Sequence, residues 1–224
     1  MNINLVQFPF SNFCMVARFI LTYAEAPFEL TNIPSQDRTL VWEMTGGKYY
    51  NVPVIQDGDE VIFERDHDSQ VVAKHLDARF HLGLFPAELE GEQTILWRYI
   101  ENDLEDVSFR LNDTYFREFV PTDEQLQFQR FKERRFGRGC IDQWAAQRTD
   151  LLAQLETRLQ PFEAMLTHRP FLLGDRPRFV DFDLAGMLGN FLYSGHYELP
   201  PAQKHLKQWH QQILAARKSR FPVA

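Results

Sequence analysis

The chain has 224 residues, of which 44% are hydrophobic and 25% are charged, and its formal net charge at pH 7 is −7. This composition is ordinary for a globular protein, and the negative charge disfavours nucleic acid and anionic membranes as partners. The sequence shows no basic segment followed by a long apolar run, and no stretch near the roughly 18 apolar residues that span a bilayer. Its two cysteines, Cys14 and Cys140, suit a reducing compartment, so we expect a cytoplasmic protein.

Strand and helix signals alternate in residues 1–82. Apolar runs bounded by turn residues predict strands over residues 3–8, 28–33, 52–55 and 61–63, the last two joined by a D-G-D turn. Apolar residues at helical spacing predict helices over residues 12–24, 37–44 and 68–80. The order β-α-β-α-β-β-α fits a small mixed sheet with helices on both faces.

From about residue 88 the strand signals stop and helical spacing continues. We expect helices within residues 90–107, 128–144, 151–162, 181–193 and 204–217, with Pro161 kinking the third. The periodicity breaks at residues 83–88. The sequence therefore predicts two domains, an α/β domain over residues 1–82 and an all-helical domain over residues 88–224.

Ser11 and Cys14 lie one helical turn apart, where the first strand meets the first helix. A helix N-terminus presents unpaired N–H groups and partial positive charge, which stabilise a thiolate placed there. The Ser11 hydroxyl can donate to such a thiolate, or Ser11 and Asn12 can simply cap the helix. We interpret Cys14 as a packed side chain, because a dithiol centre needs C-x-x-C spacing, although a monothiol role stays open.

The dipeptide Val52-Pro53 places a proline within an apolar strand signal. Proline cannot donate to a sheet ladder, so this position indicates either an edge strand or a special backbone conformation.

Asp68 and Ser69 open a predicted helix. The free N–H groups of a helix N-terminus can take a carboxylate while Asp68 takes an ammonium, and the alternative is an ordinary N-cap. His67 lies between acids without a second ligand cluster, so no metal site is predicted.

These segments together resemble the cytosolic glutathione transferase superfamily over nearly the whole chain. Residues 11–18, S-N-F-C-M-V-A-R, are similar to the S-P-F-C-x-K-V-R start of many bacterial members. Residues 52–55, V-P-V-I, and 68–77, D-S-Q-V-V-A-K-H-L-D, are similar to the family's V-P-V-L and E-S-x-A-I-x-x-Y-L-D. Residues 171–181, F-L-L-G-D-R-P-R-F-V-D, resemble the helical-domain signature that precedes a buried capping aspartate.

Four positions depart from the family pattern. Asn12 stands for proline, and residues 49–51 are inserted between the usual lysine and Val-Pro. The stretch between Phe63 and Asp68 is longer than the usual turn, and Arg178 stands where a Ser or Thr cap is expected.

The resemblance implies a thioredoxin-like N-terminal domain with a cis proline and an all-helical C-terminal domain that supplies an electrophile pocket. It implies glutathione as co-substrate, without a metal, and Ser11 or Cys14 as the catalytic residue that activates the thiol. The glutathione-binding residues that it implies are Phe13, Asn51, Val52, Pro53, Asp68 and Ser69. It also implies a homodimer, for which the apolar surface around Val61, Phe63 and Val72 is a candidate.

Several functional alternatives remain open at this point. One is a non-catalytic protein-binding module on the same fold, and another is glutathione-dependent lyase, dehalogenase or thiol transferase chemistry. The basic run of residues 130–138 is interpreted as a solvated helix face, and its alternative role is to hold an anionic substrate in the cleft. The neighbouring phenylalanines are read as core side chains that can also line an electrophile pocket.

Overall fold

A four-stranded sheet is followed by helices in the computed structural model, which describes residues 3–221. The strands are β1 (Ile3–Gln7), β2 (Phe28–Asn32), β3 (Val54–Asp57) and β4 (Glu60–Phe63). The helices that accompany the sheet are α1 (Asn12–Tyr23), α2 (Thr39–Met44) and α3 (Val71–Phe80). Those that follow are α4 (Glu90–Arg98), α5 (Glu105–Asp113), α6 (Phe116–Phe119), α7 (Gln125–Phe136), α8 (Cys140–Ala146), α9 (Arg148–Leu166), α10 (Phe179–Leu192) and α11 (Lys204–Ala215).

The sheet has the order β2-β1-β3-β4, in which β2 runs parallel to β1 and β3 runs antiparallel to both β1 and β4. The predicted small mixed sheet is therefore confirmed. Strand β3 begins at Val54, two residues later than predicted, because Pro53 has no N–H for the ladder. The Val52-Pro53 peptide bond is cis.

The helical region is joined to the sheet domain mainly through α1 and α10, which approach closely at two glycines. A Cβ on Gly186 would lie 2.5 Å from Val16 Cγ2 and 2.8 Å from the Asn12 carbonyl oxygen. A Cβ on Gly189 would lie 2.6 Å from Met15 Sδ. Gly186 is required for this approach, because a Cβ there would clash with backbone and with a stiff valine, whereas at Gly189 the flexible Met15 side chain would have to shift. The contact fixes the start of α1 against the helical region.

Asp181 organises the start of α10 from a fully buried position. Its carboxylate accepts hydrogen bonds from the backbone N–H groups of Leu172 and Arg178 and from Trp209 Nε1, each at 2.9 Å. Burial raises the pKa of Asp181 to about 6, so the group is ionised at neutral pH. Arg178, which replaces the usual hydroxyl cap, instead donates from its guanidinium to the carbonyl of Gly83. It thereby ties the connecting segment to α10.

Two features of the helical region were not predicted from the sequence: the end of α9 and a π-helical segment before α5. Helix α9 contains Pro161 and continues to Leu166, beyond the predicted end at residue 162. Between α4 and α5 the chain forms a π-helical segment over Tyr99–Leu104. None of the helices within residues 3–221 has the length and apolar character that crossing a membrane requires.

Candidate functional site

A cleft of about 870 Å³ lies between the sheet domain and the helical region. This volume is in the range of small-molecule sites. The sheet-domain wall includes Ser11, Phe13, Arg38, Tyr49, Asn51, Val52, Pro53, Glu64 and Ser69. The helical wall includes Glu105, Phe109, Phe128, Phe131, Lys132, Arg134, Arg135 and Phe136. The two walls are also bridged directly, because Ser35 donates from its backbone N–H and its hydroxyl to Glu124 Oε2, at 2.6 and 2.7 Å.

Ser11 and Cys14 occupy different environments although they lie one turn apart. Ser11 is the N-cap of α1, where its Oγ accepts from the Cys14 backbone N–H at 3.4 Å, and it lines the cleft. Cys14 is fully buried and does not line the cleft. Burial raises the pKa of the Cys14 thiol to about 11, so it is a neutral thiol at physiological pH. The structure thus brings the hydroxyl to the cleft and keeps the sulfur in the core.

The residues inserted before Val52 form part of the cleft wall. Tyr49 stacks on Phe63 with ring centroids 5.5 Å apart, and its hydroxyl donates to Glu64 Oε2 at 3.0 Å. Its backbone N–H and carbonyl both bond to Thr45 Oγ1, at 3.1 and 2.9 Å. The insertion is therefore held by side-chain stacking and hydrogen bonds, and it places Tyr49, Tyr50 and Asn51 beside Val52 and Pro53.

Asp68 and Ser69 are not both brought to the cleft. Asp68 is not among the residues that line it: its Oδ2 lies 2.7 Å from Lys74 Nζ, and its Oδ1 accepts from the Gln70 backbone N–H. Ser69 does line the cleft, and its hydroxyl lies 2.7 and 2.9 Å from the two carboxylate oxygens of Glu101. Glu64 is the acid of this segment that faces the cleft.

The physical reason for this arrangement is a tight turn in the lengthened segment. Arg65 pairs with Asp68, and the two residues between them, Asp66 and His67, have φ values of 54° and 61°. Positive φ at both central positions is the geometry of a two-residue hairpin turn. The turn reverses the chain after Glu64, turns Asp68 away from the cleft and delays the start of α3 to Val71, three residues later than predicted.

Three carboxyl groups, two beneath the cleft and one in its helical wall, were missed by sequence reasoning. Glu101 comes from the π-helical segment, Glu105 from the start of α5 and Asp183 from α10. Asp183 is 1% exposed, and neither of its oxygens has a hydrogen-bond partner among the described residues. Asn12 donates from Nδ2 to Glu105 Oε1 at 3.0 Å. Glu101, Asp183 and Ser69 also line a void of about 10 Å³, which is room for one water molecule.

Burial disfavours the charged form of all three acids. It raises the pKa of Glu101 to about 7 and the pKa of Glu105 above its ordinary value. The pKa of Asp183 is raised well above the ordinary value, by burial first and then by the negative charges of Glu101 and Glu105. The available sequence signal was Asp183 itself, a second acid within a mostly apolar helix.

Three members of the basic run face the cleft, and two do not. Lys132, Arg134 and Arg135 line it, whereas Arg130 and Arg138 do not. Lys132 Nζ lies 2.6 Å from Asp113 Oδ2 and 4.5 Å from the centre of the Phe109 ring. The cleft therefore has a mixed aromatic and cationic wall on α7.

A mixed four-stranded sheet with a cis proline facing a cleft, followed by a helical region, defines a thioredoxin-like domain with a helical extension. Residues 5–83 match the family model "Glutathione S-transferase, N-terminal domain", and residues 140–212 match "Glutathione S-transferase, C-terminal domain". The chain belongs to the glutathione transferase superfamily.

Solved structures show the same fold. Glutathione transferase GSTFuA3 from Phanerochaete chrysosporium superposes with a TM-score of 0.81 at 18% identity, covering 100% of this chain and 99% of that one. The glutathione S-transferase CsGST83044 of Ceriporiopsis subvermispora, solved in complex with glutathione, gives 0.80 at 20% identity, covering 95% and 98%. Poplar glutathione transferase F1 gives 0.66 at 17% identity, covering 98% and 95%.

Proposed function

We propose that this protein is a glutathione transferase, which binds glutathione in the cleft and activates its thiol for attack on a small apolar electrophile. The observation that carries the proposal is the convergence in one cleft of Ser11 at a helix N-terminus, the Val52-Pro53 edge and an aromatic wall. A family relative of the same fold was solved in complex with glutathione, which supports the choice of ligand.

In the proposed mechanism, glutathione lies extended along Val52, with its thiol at Ser11. The Ser11 hydroxyl oxygen accepts from the Cys14 backbone N–H, and its O–H, which is also within reach of the Cys14 thiol, donates to the ligand sulfur when glutathione is bound. This donor and the N-terminal charge of α1 favour the thiolate, so the thiol proton passes to solvent. The thiolate then forms a carbon–sulfur bond with the electrophile, whose leaving group departs with its electron pair.

The ends of glutathione require charged partners, and the cleft provides them. On binding, the Ser69 hydroxyl exchanges its hydrogen bond to Glu101 for one to the γ-glutamyl carboxylate, which the N–H groups at the start of α3 also bind. Glu64 replaces Asp68 as the partner of the ammonium. Arg38 is assigned to the glycyl carboxylate. Its guanidinium lies 4.1 Å from the centre of the Phe8 ring, and its buried Nη1 has no hydrogen-bond partner among the described residues.

The replacement Ser69→Ala is expected to weaken glutathione binding by about 1–3 kcal/mol, because the ligand carboxylate loses a charge-assisted donor. Isothermal calorimetry with glutathione measures this directly. The matched control is Asp68→Asn, at the neighbouring position outside the cleft. Asparagine can still accept the hydrogen bond from the Gln70 backbone N–H, so the affinity should be unchanged.

An unchanged dissociation constant for Ser69→Ala, with the circular dichroism spectrum intact, would remove Ser69 from the binding site. A wild-type protein that binds no glutathione would overturn the proposed function and favour a protein-binding module. Glutathione binding without conjugation of any electrophile would instead favour a lyase, dehalogenase or thiol transferase reaction.

We further propose a cytoplasmic homodimer. Phe63 and Val72, which the sequence suggested as part of an interface, are buried within the chain, whereas Ile95 on α4 is 70% exposed. Light scattering should therefore give twice the chain mass of 26.4 kDa, with an interface on the order of 1,600 Å² in total. The variant Ile95→Glu should shift the protein toward a single chain. A wild-type mass of 26.4 kDa would contradict the dimer.

A further inference from the structure

We propose that the electrophile itself carries a negative charge, and that Arg134 and Arg135 bind this charge and so determine specificity. This inference rests on the proposed function and narrows its substrate class to apolar or aromatic electrophiles that bear a carboxylate, sulfonate or similar anionic group.

The first support is the position of the basic residues on α7. Phe128, Phe131, Lys132 and Arg135 follow one another at helical spacing and line the cleft together. A solvated helix face would keep its charges out of the cleft, and Arg130 on α7 and Arg138, which follows α7, do not line it. A wall built only for uncharged electrophiles would not combine these rings with cations.

The second support is the balance of charge on this wall. The charge of Lys132 is neutralised by Asp113, which is buried beneath the wall. Arg134 and Arg135 form no ion pair with any carboxylate in residues 3–221. Two acids also line the cleft near this wall: Asp123 is exposed, and the charges of Lys132 and Arg135 act on Glu105. Arg134 is thus the cleft cation of α7 that faces no carboxylate partner among the described residues, and a ligand anion would supply one.

The third support is Phe131, whose surface is 48% exposed although it lies in the cleft beside these arginines. An aromatic ligand ring that covers Phe131 would remove this apolar surface from water. The same ligand would bring its anionic group within reach of the arginines. A guanidinium binds a carboxylate or sulfonate through two parallel N–H donors, which gives both orientation and selectivity.

The reaction for such a substrate is balanced without a further reagent. The glutathione thiolate attacks a ring carbon that bears chlorine, a carbon–sulfur bond forms, and chloride leaves with the electron pair of the broken bond. The anionic group takes no part in bond making. Its role is to hold the ring over Phe131 while the thiolate attacks.

The test uses two chloronitroaromatic substrates that differ only in a carboxylate, 2-chloro-1,3-dinitrobenzene and 4-chloro-3,5-dinitrobenzoate. The value of kcat/KM for each is divided by its uncatalysed rate with glutathione. We expect the wild-type protein to favour the carboxylate by about tenfold, as hydrogen bonds to charged groups allow. The double variant Arg134→Gln/Arg135→Gln should bring this ratio to about one. The control Arg130→Gln/Arg138→Gln, outside the cleft, should keep it.

Equilibrium binding of the two glutathione conjugates gives a second readout that does not depend on turnover. The wild-type protein should bind the carboxylate-bearing conjugate about tenfold more tightly, and this preference should disappear in the cleft double variant. Equal affinities for both conjugates, together with normal glutathione binding, would overturn this inference and leave the proposed function standing. A protein that binds neither glutathione nor either conjugate would overturn both.

Discussion

Replacing Ser11 with alanine is expected to lower turnover about 100-fold, whereas replacing Cys14 with alanine should leave most of it. A preorganised donor aimed at developing negative charge contributes an effect of this order in other enzymes. Ser11 lines the cleft, while Cys14 is fully buried one turn further along α1. Three residues displace a side chain by about 4.5 Å along the helix axis, which is beyond hydrogen-bond range.

The loss in Cys14→Ala should appear in stability. Cys14 packs in a buried cluster with Val6, Val52 and Val54, beneath the floor of the cleft. Removing the sulfur leaves a small cavity, with an expected cost of about 1–3 kcal/mol in the free energy of unfolding. Chemical unfolding measures this cost. The reciprocal comparison is Ser11→Ala, which loses only its capping hydrogen bond and should cost about 1 kcal/mol.

Thiolate absorbance of the glutathione complex, recorded against pH, separates the two residues. Ser11→Ala should raise the pKa of bound glutathione, and Cys14→Ala should leave it unchanged. Rapid alkylation of native Cys14, together with loss of activity in Cys14→Ala, would contradict this assignment. The protein would then be a cysteine-type thiol transferase in which Ser11 is only a helix cap.

The positions of most strands and helices in the sheet domain could be predicted because the spacing of apolar residues within each segment indicates its type. Strand runs and helical spacing are local, and proline or glycine marks their ends. The start of α3 was placed three residues early because Asp66 and His67 form a turn without the glycine that usually reveals positive φ. Because of that turn Glu64 lines the cleft and Asp68 does not. An error about local structure therefore put the wrong acid in the predicted site.

The other missed residues depend on contacts between distant parts of the chain. Arg38 reaches the cleft by stacking on Phe8, thirty positions earlier in the sequence. Asp183 lies near Glu101 because α10 packs against the π-helical segment, about eighty positions earlier in the sequence. The spacing of apolar residues along the sequence does not reveal contacts between such distant residues. The acid in an apolar helix was visible in the sequence, but the groups that face it were not.

The buried acids should make the protein less stable as the pH rises from about 5.5 to 8. The pKa of Glu101 is about 7 in the folded chain, against an ordinary value of 4.5, and those of Glu105 and Asp183 are also raised. The folded protein therefore holds more protons than the unfolded chain within this window. Under that condition the free energy of unfolding falls with increasing pH.

Glu101 alone should contribute about 1–2 kcal/mol of this fall, since one pKa unit corresponds to about 1.4 kcal/mol and the group is only partly buried. Other groups face this cluster and must be considered. Glu64 adds negative charge from the sheet domain, and Lys132 and Arg135 offset Glu105 from α7. Burial lowers the pKa of His210, which acts in the opposite direction below its ordinary value of 6.5. Variants are therefore needed to isolate the acids.

Urea unfolding at pH 5.5, 6.5, 7.5 and 8.5 should show that Glu101→Gln and Asp183→Asn stabilise the protein increasingly as the pH rises. Each replacement keeps the size of the side chain and removes the group whose ionisation burial opposes. The control is Asp103→Asn, an exposed acid two residues from Glu101, which should run parallel to the wild type. If both buried-acid variants also run parallel to the wild type, these carboxyl groups ionise at their ordinary pKa values. Solvent would then reach Asp183 between the two parts of the chain, and the close α1–α10 contact would not exclude water there.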